Sequence, residues 1–287
     1  MQSEIIYRNR PPGLWPLYGR ALTHKHGADA TIPELSAQLT GVRTDDDRLR
    51  RYRSICGFAN QRTLPMTWIH ILAFPLHLRL LTDSVFPLPL LGLVHLRNQI
   101  TQWRPIATGE CLDIRVALSD QTRTGKGLEF DLVTTAHSAG RCVWEERSTN
   151  LYRQPQKHSA ARSGPPPELP YYPHLYPIQA DESIGREYGR VSGDLNPIHM
   201  HKLSARAFGF PRAIAHGMWS KARCIAQLEQ QPGWTTTPVT VACQFKKPFF
   251  LPGTAQLNWK GTGKEWPFQL LNASGDAPHL SGEVRWE

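Results

Sequence analysis

The sequence predicts an α+β fold made of two similar units, each a central helix wrapped by an antiparallel sheet. Three observations carry this. A nine-residue pattern occurs twice, an apolar helical stripe follows each copy, and short extended segments follow each stripe. Self-similarity at this scale marks a duplicated structural unit.

The first copy reads Y-x-x-I-C-G-F-x-N, from Tyr52 through Ile55, Cys56, Gly57 and Phe58 to Asn60. The second reads Y-x-x-V-S-G-D-x-N, from Tyr188 through Val191, Ser192, Gly193 and Asp194 to Asn196, with identical spacing. A proline and, five residues later, a histidine follow each copy: Pro65 with His70, and Pro211 with His216. Each histidine is expected to open a helix. In the first, Ile69, Leu72, Ala73, Leu76 and Leu80 share one face at 3.6-residue periodicity. Pro75 should kink it or mark its first turns. In the second, Met218, Ala222, Ile225 and Ala226 form a similar stripe, and Pro232-Gly233 ends it.

Extended segments come next in both halves. Gly92 to Leu118 and Val239 to Leu257 each read as strand, turn and strand, with Trp103-Arg104-Pro105 and Gly109, or Lys246-Lys247-Pro248 and Gly253, at the turn. Leu128 to Thr135 with Arg141 to Thr149 closes the first half; Phe268 to Ala273 with Leu280 to Trp286 closes the second. Two such units can pair edge to edge and remove two exposed sheet edges. The expected organisation is a first unit over 1–153, a proline-rich extended linker over 154–177 containing Pro165-Pro166-Pro167, and a second unit over 178–287.

Composition narrows the function. Apolar content of 40% and charged content of 20% over 287 residues describe a globular chain with room for a sizeable core. The most apolar stretch, Leu64 to Leu96, is broken by Arg79, Asp83 and four prolines, so it reads as a buried helix and a buried extended segment rather than a membrane span. Cys56, Cys111, Cys142, Cys224 and Cys243 are odd in number and form no CxxC pair, and no secretory signal is visible. They are expected to be buried thiols in a reducing cytoplasm. The net charge of +9 is spread along the chain without a basic cluster or a reading motif. It therefore argues against nucleic-acid binding and is compatible with an anionic partner such as coenzyme A or an acidic carrier protein.

The two copies differ where chemistry can sit. Phe58 stands where the second copy has Asp194. Asn60 to Pro65 is short, whereas Asn196 to Pro211 is long and carries Pro197, His199, His201 and Arg206. A five-residue separation does not place Asp194 and His199 on one helical face, but a turn at Asn196-Pro197 can bring them together. A carboxylate and an imidazole then form a proton-transfer pair. The competing readings are that Asp194 caps a short helix beginning near Met200 or satisfies turn amides, and that His199, His201 and His216 bind a metal, although no standard ligand spacing is present. Cys224 and Cys243 read as core residues, and Tyr188 and Trp219 as packing aromatics.

The run Y-G-R-V-S-G-D-L-N-P-I-H from Tyr188 to His199, followed by Phe208-Gly209 and Ile214-Ala215-His216-Gly217-Met218, resembles the signature of the MaoC-like family. That family includes (R)-specific enoyl-CoA hydratases and 3-hydroxyacyl-thioester dehydratases. The resemblance implies a double hot-dog with a catalytic C-terminal unit and a degenerate N-terminal one. It implies a catalytic dyad of Asp194 and His199, with Asn196 holding the turn and the reacting water. It also implies that the Gly217 N–H faces the thioester carbonyl, a role that suits a helix N-terminus. The implied partner is an acyl-CoA or acyl carrier protein thioester, with no metal or organic cofactor. A first half freed of chemistry could hold a long or bulky acyl chain, with Leu72 to Leu96 either lining it or serving as core. A hot-dog thioesterase and a non-catalytic acyl-thioester or acyl-carrier binding module are the alternatives. The paired halves are compatible with a monomer or a homodimer.

Overall fold

The computed structural model describes residues 3–21, 31–44, 46–90, 92–154, 168–236 and 238–287. Most of the expected linker, including Pro165 to Pro167, lies outside the described residues.

The first half begins with a segment that the repeat did not predict: β1 (Ser3–Arg8) and α1 (Leu14–Ala21). β2 (Leu35–Val42), α2 (Asp46–Cys56) and α3 (Trp68–Leu81) follow. Four strands then run from β3 (Leu93–Gln102) through β4 (Leu112–Thr124) and β5 (Gly127–Ser138) to β6 (Arg141–Arg153). The second half repeats this order with β7 (His174–Ala180), α4 (Ile184–Ser192), α5 (Pro197–Met200), α6 (Lys202–Ala207) and α7 (Gly217–Leu228). It ends with β8 (Val239–Phe245), β9 (Gly253–Trp259), β10 (Glu265–Asn272) and β11 (Pro278–Trp286). β7 takes up the end of the proline-rich stretch, with Pro177 inside it.

All these strands join one sheet in the order β1-β2-β4-β5-β6-β3-β8-β11-β10-β9-β7. Read outward from the β3–β8 junction, each half lays down its strands in the same sequence. Within each half every pairing is antiparallel; only the added β1 runs parallel to its neighbour β2. The two units share an edge from Arg97 opposite Gln244 to Gln102 opposite Val239, which removes the exposed edges a separate pair would carry. This is a double hot-dog.

Both predicted helical stripes are in the core, but α3 is buried on nearly every face rather than on one: twelve of its residues are buried, His70 and His77 among them. The helix continues through Pro75, which sits well past its first turn. Leu72, Leu76, Leu80, Leu81 and Leu88 belong to the hydrophobic core, so this part of the stretch packs rather than lining an open channel. The following strand is only half-buried from Leu93 to Leu96. Among the cysteines, Cys56, Cys224 and Cys243 are buried as expected, whereas Cys111 and Cys142 are exposed because each occupies a turn or an early strand position at the surface.

The proposed equivalence of His70 with His216 is wrong by several residues. Leu64 N–H bonds Ile106 O and Ala215 N–H bonds Phe249 O, each at 2.8 Å. Isolated bridges pair Thr63 with Ala107 and Ile214 with Phe250. These matching contacts set Pro65 against His216, Met66 against Gly217, Trp68 against Trp219 and His70 against Lys221. The long insert of the second half shifted the proline-based alignment.

His70 and Lys221 then occupy equivalent places on the two central helices and meet one buried polar chain. His70 Nδ1 contacts Glu146 at 2.8 Å, and Asn98 Nδ2 donates to Glu146 at 2.6 Å and to Ser148 Oγ at 2.8 Å. Lys221 Nζ donates to the Asn98 side chain, to Asn98 O at 3.1 Å and to Val241 O at 2.9 Å. Burial lowers the Lys221 pKa. Burial alone would raise Glu146, but the adjacent His70 overcomes it and holds the carboxyl at about 2. A buried charge keeps its place only when paired and hydrogen-bonded in this way.

Candidate active site

Asp194 sits in the turn after α4. The helix ends at Gly193, whose φ of 84° is a left-handed conformation that glycine adopts without a Cβ penalty. Its N–H returns to Gly189 O at 2.8 Å. The chain then doubles back along α4 so closely that a Cβ on Gly185 would lie 1.9 Å from His199 O. The missing side chain at Gly185 is therefore what lets the His199 segment return. Asp194 N–H donates to Ser192 Oγ at 3.1 Å, and Asn196 N–H donates to Asp194 Oδ1 at 3.2 Å.

Asp194 caps no helix. Asn196 does: its Oδ1 accepts from Ile198 N–H at 3.3 Å and starts α5, with Pro197 at the first helical position. His201 caps α6, its Nδ1 accepting from Leu203 N–H at 3.2 Å, and is exposed. His201 is therefore separated in role from the other two histidines.

His199 is buried on α5 and its Nδ1 lies 2.7 Å from Ile214 O. A carbonyl only accepts, so Nδ1 carries the hydrogen and Nε2 keeps its lone pair. Burial lowers the His199 pKa, opposed by the Asp194 charge and by the Ile214 bond. The imidazole is thus a neutral base.

His216 lies directly against it, ring on ring at 3.7 Å. Its Nε2 donates to Asp194 O at 3.0 Å and stands 3.8 Å from Asp194 Oδ2. Burial, and then His199, push its pKa down to about 3. Tyr188 packs against the His216 ring at 4.8 Å, tilted by 47°. Asp194, His199 and His216 offer polar atoms all within 4.8 Å of one another. The Asp194 side chain is 32% exposed, so the group opens to solvent through the carboxylate.

Asp194, not His201, joins His199 and His216, so the three histidines of the competing metal reading are not brought together. The geometry of the group suits proton transfer better than ligation. The two imidazoles stack at 3.7 Å with 27° between their planes, so their in-plane lone pairs run along near-parallel planes rather than to one point.

Gly217 begins α7 immediately after His216. A Cβ at 217 would press on the Phe245 ring at 3.0 to 3.3 Å, so glycine keeps the backbone at this helix start open. The amide end of α7 carries partial positive charge beside the Asp194–His199 pair.

Two residues that hold the turn carried no visible sequence signal. Tyr18 of α1 bonds to Gly193 and Leu195, and Arg48 of α2 donates to Val191 O at 2.7 Å and Ser192 O at 3.5 Å. Both come from the first half. Tyr188 and Trp219 are buried packing aromatics, as expected. In the first unit, Phe58 stacks on Tyr52 at 6.0 Å. Phe58, Pro65 and Met66 replace Asp194, His216 and Gly217, and the segment that bears His199 has no counterpart. A cavity of about 360 Å³ beside these residues of the first unit is lined by Asn60, Leu64, Met66, Gln102, Glu229 and Trp234, among others.

A double hot-dog with a Ser-Gly-Asp-x-Asn-Pro-x-His turn in its second unit defines a dehydratase class, and residues 168–278 match the model of the MaoC like domain. The chain is 32% identical over 257 residues to 3-hydroxyacyl-thioester dehydratase X of Mycobacterium tuberculosis, covering 88% of this chain and 90% of that protein. It therefore belongs to the MaoC-like dehydratase family and is a hydro-lyase. A crystal structure of that mycobacterial protein, HtdX, superposes with a TM-score of 0.76 at 30% identity over 88% of this chain and 100% of that one. The fold is also shared with a MaoC-like dehydratase from Phytophthora capsici, with a TM-score of 0.70 at 19% identity, over 90% of this chain and 96% of that one.

Proposed function

We propose that the protein catalyses reversible addition of water across the C2–C3 double bond of a trans-2-enoyl thioester, giving the (R)-3-hydroxyacyl thioester. The thioester is carried on coenzyme A or on an acyl carrier protein. Residues 178–287 form the working unit and residues 1–153 its degenerate partner. The observation that carries this reading is the meeting of the Asp194 carboxylate with a neutral, buried His199 beside the start of α7.

The hydration needs one group to take a proton from water, one to deliver a proton at C2, and a donor for the carbonyl oxygen. Asp194 and His199 Nε2 share the two proton transfers, and microscopic reversibility lets the same pair run the dehydration. Asn196 fixes the turn that aims them and contacts the reacting water. The Gly217 N–H, at the positive end of α7, stabilises the enolate oxygen as charge develops there. No step in this scheme calls on a cofactor. The net charge of +9 favours the anionic carrier of the acyl group.

The test is hydration of trans-2-enoyl-CoA substrates of short, medium and long chain, followed by loss of enoyl absorbance, with chiral analysis of the product. Turnover to the (R) product supports the reading. No turnover on coenzyme A or on carrier-protein substrates would overturn it and favour a non-catalytic binding role.

A further inference from the structure

The turn from Gly193 to Asn196 lies outside regular helix and sheet pairing, so its conformation rests on hydrogen bonds brought to it. Ser192, His216 and Gly189 supply some of them. The two peptide groups on either side of Asp194 are met by a single atom from far away in the sequence. Tyr18 Oη donates to Gly193 O at 2.7 Å and accepts from Leu195 N–H at 2.8 Å. With its proton given to Gly193 and a lone pair taken by Leu195, this hydroxyl brackets the carboxylate-bearing residue.

The same helix touches the turn again through Leu14. A Cβ on Gly193 would come within 2.8 Å of Leu14 Cδ1, so the leucine fills the space that the glycine leaves. Phe74 of α3 closes the same point at 3.5 Å. Leu17 is buried and Trp15 faces solvent, so α1 lies on the molecule with Leu14, Leu17 and Tyr18 inward. Burial, and then the negative charge of Asp194, raise the Tyr18 pKa, which keeps the hydroxyl protonated and able to donate.

We propose that α1 is a strap of the active site and that Tyr18 is a positioning residue, its hydroxyl clamping the two peptide groups that flank Asp194. This rests on the reading of Asp194 as a working carboxylate. Tyr18 does not touch the reacting atoms; it sets the direction in which Asp194 presents its oxygens. Displacements of about 1 Å at a reacting group can cost about 100-fold in rate, so a clamp on the turn matters more to turnover than to folding.

The test is Tyr18→Phe, which removes one oxygen and keeps the ring, compared with native enzyme on a trans-2-enoyl-CoA that the native protein hydrates. Absence of native turnover would be a failure of the functional reading and is read before the variant is made. Given native turnover, kcat of Tyr18→Phe is expected to fall about tenfold or more, with KM within about twofold. Exchange of the Leu195 amide hydrogen should speed up in the variant whether or not activity is followed. Trp15→Ala, 77% exposed on the same helix, should leave both readouts at native values. In an Asp194→Asn background, Tyr18→Phe should add little further loss, since both changes act through one carboxylate. Native kcat in Tyr18→Phe, unchanged Leu195 exchange, or a full additional loss on top of Asp194→Asn would each overturn the proposal.

Discussion

Acid should destabilise this protein earlier than carboxylate titration alone would, because the fold holds His77, His95 and His216 neutral, burial and then His70 lowering the His95 pKa to about 3. His77 on α3 is 4% exposed and bonds Thr134 Oγ1 at 2.8 Å; His216 is 3% exposed. Burial, followed by His70, lowers the His77 pKa from 6.5 to about 3. Burial, followed by His199, lowers that of His216 to about 3 as well. A depressed folded pKa means that the unfolded chain binds more protons, so stability rises with pH across the window from 3 to 6.5 and is lost as pH falls. At pH 5, about 1.5 units below the unfolded value, each histidine contributes a loss of about 2 kcal/mol at 1.36 kcal/mol per unit. Together the three lower stability by about 6 kcal/mol between pH 8 and pH 5. Glu229, raised by burial to about 7, returns about 2.5 kcal/mol because the folded form binds its proton first. This leaves a net loss of about 3.5 kcal/mol against a typical total of about 5–15 kcal/mol. Glu146, held at about 2, extends the loss only below its unfolded value of 4.5. The assay is urea unfolding at both pH values. His77→Leu should reduce the difference by about 2 kcal/mol, because the bond it loses to Thr134 costs about 1 kcal/mol equally at both pH values and cancels. Equal stability at pH 8 and pH 5, or an undiminished difference in His77→Leu, would refute the reasoning.

Further outcomes follow from the site. Because His199 is shifted below 6.5, its basic form survives moderate acidification; the acid limb of kcat/KM should lie below pH 6.5, and a rate already falling between pH 8 and 6.5 would contradict this. Gly185→Ala places a Cβ 1.9 Å from His199 O and must push α5 away from α4. The expected result is a loss of about 2 kcal/mol in unfolding free energy and a fall in kcat of about tenfold or more. Installing the missing carboxylate as Phe58→Asp in an Asp194→Asn background should restore no hydration, since Pro65 and Met66 replace His216 and Gly217 there and no histidine segment follows. A recovered rate in that double variant would show that the first unit is not degenerate.

Much of the fold was legible because duplication writes the same instructions twice. The Tyr–Gly–Asn pattern, the helical stripes and the strand–turn–strand segments all fall on matching elements of the two halves. The register between the halves was less legible. A loop of 16 residues against six moved the proline landmark, and only backbone bonds such as Leu64 to Ile106 and Ala215 to Phe249 align Pro65 with His216. Residues in β1, α1 and β2 belong to no repeated pattern, and α1 is too short for periodicity to declare it. At the site, Asp194 and His199 were visible as a spacing that required a turn. Tyr18 and Arg48 were not, because their partners are backbone groups more than 140 positions away, and such pairing leaves no mark on the local sequence. The exposure of Cys111, just before β4, and of Cys142, near the start of β6, likewise depends on place in the fold rather than residue type.

The most direct measurement is the rate of trans-2-enoyl-CoA hydration by native protein, Asp194→Asn and His199→Ala, with melting temperature recorded for each. Native turnover should fall about 100-fold or more in both variants while the proteins remain folded. A variant that keeps the native rate would show that the Asp194–His199 pair is not where the water is added.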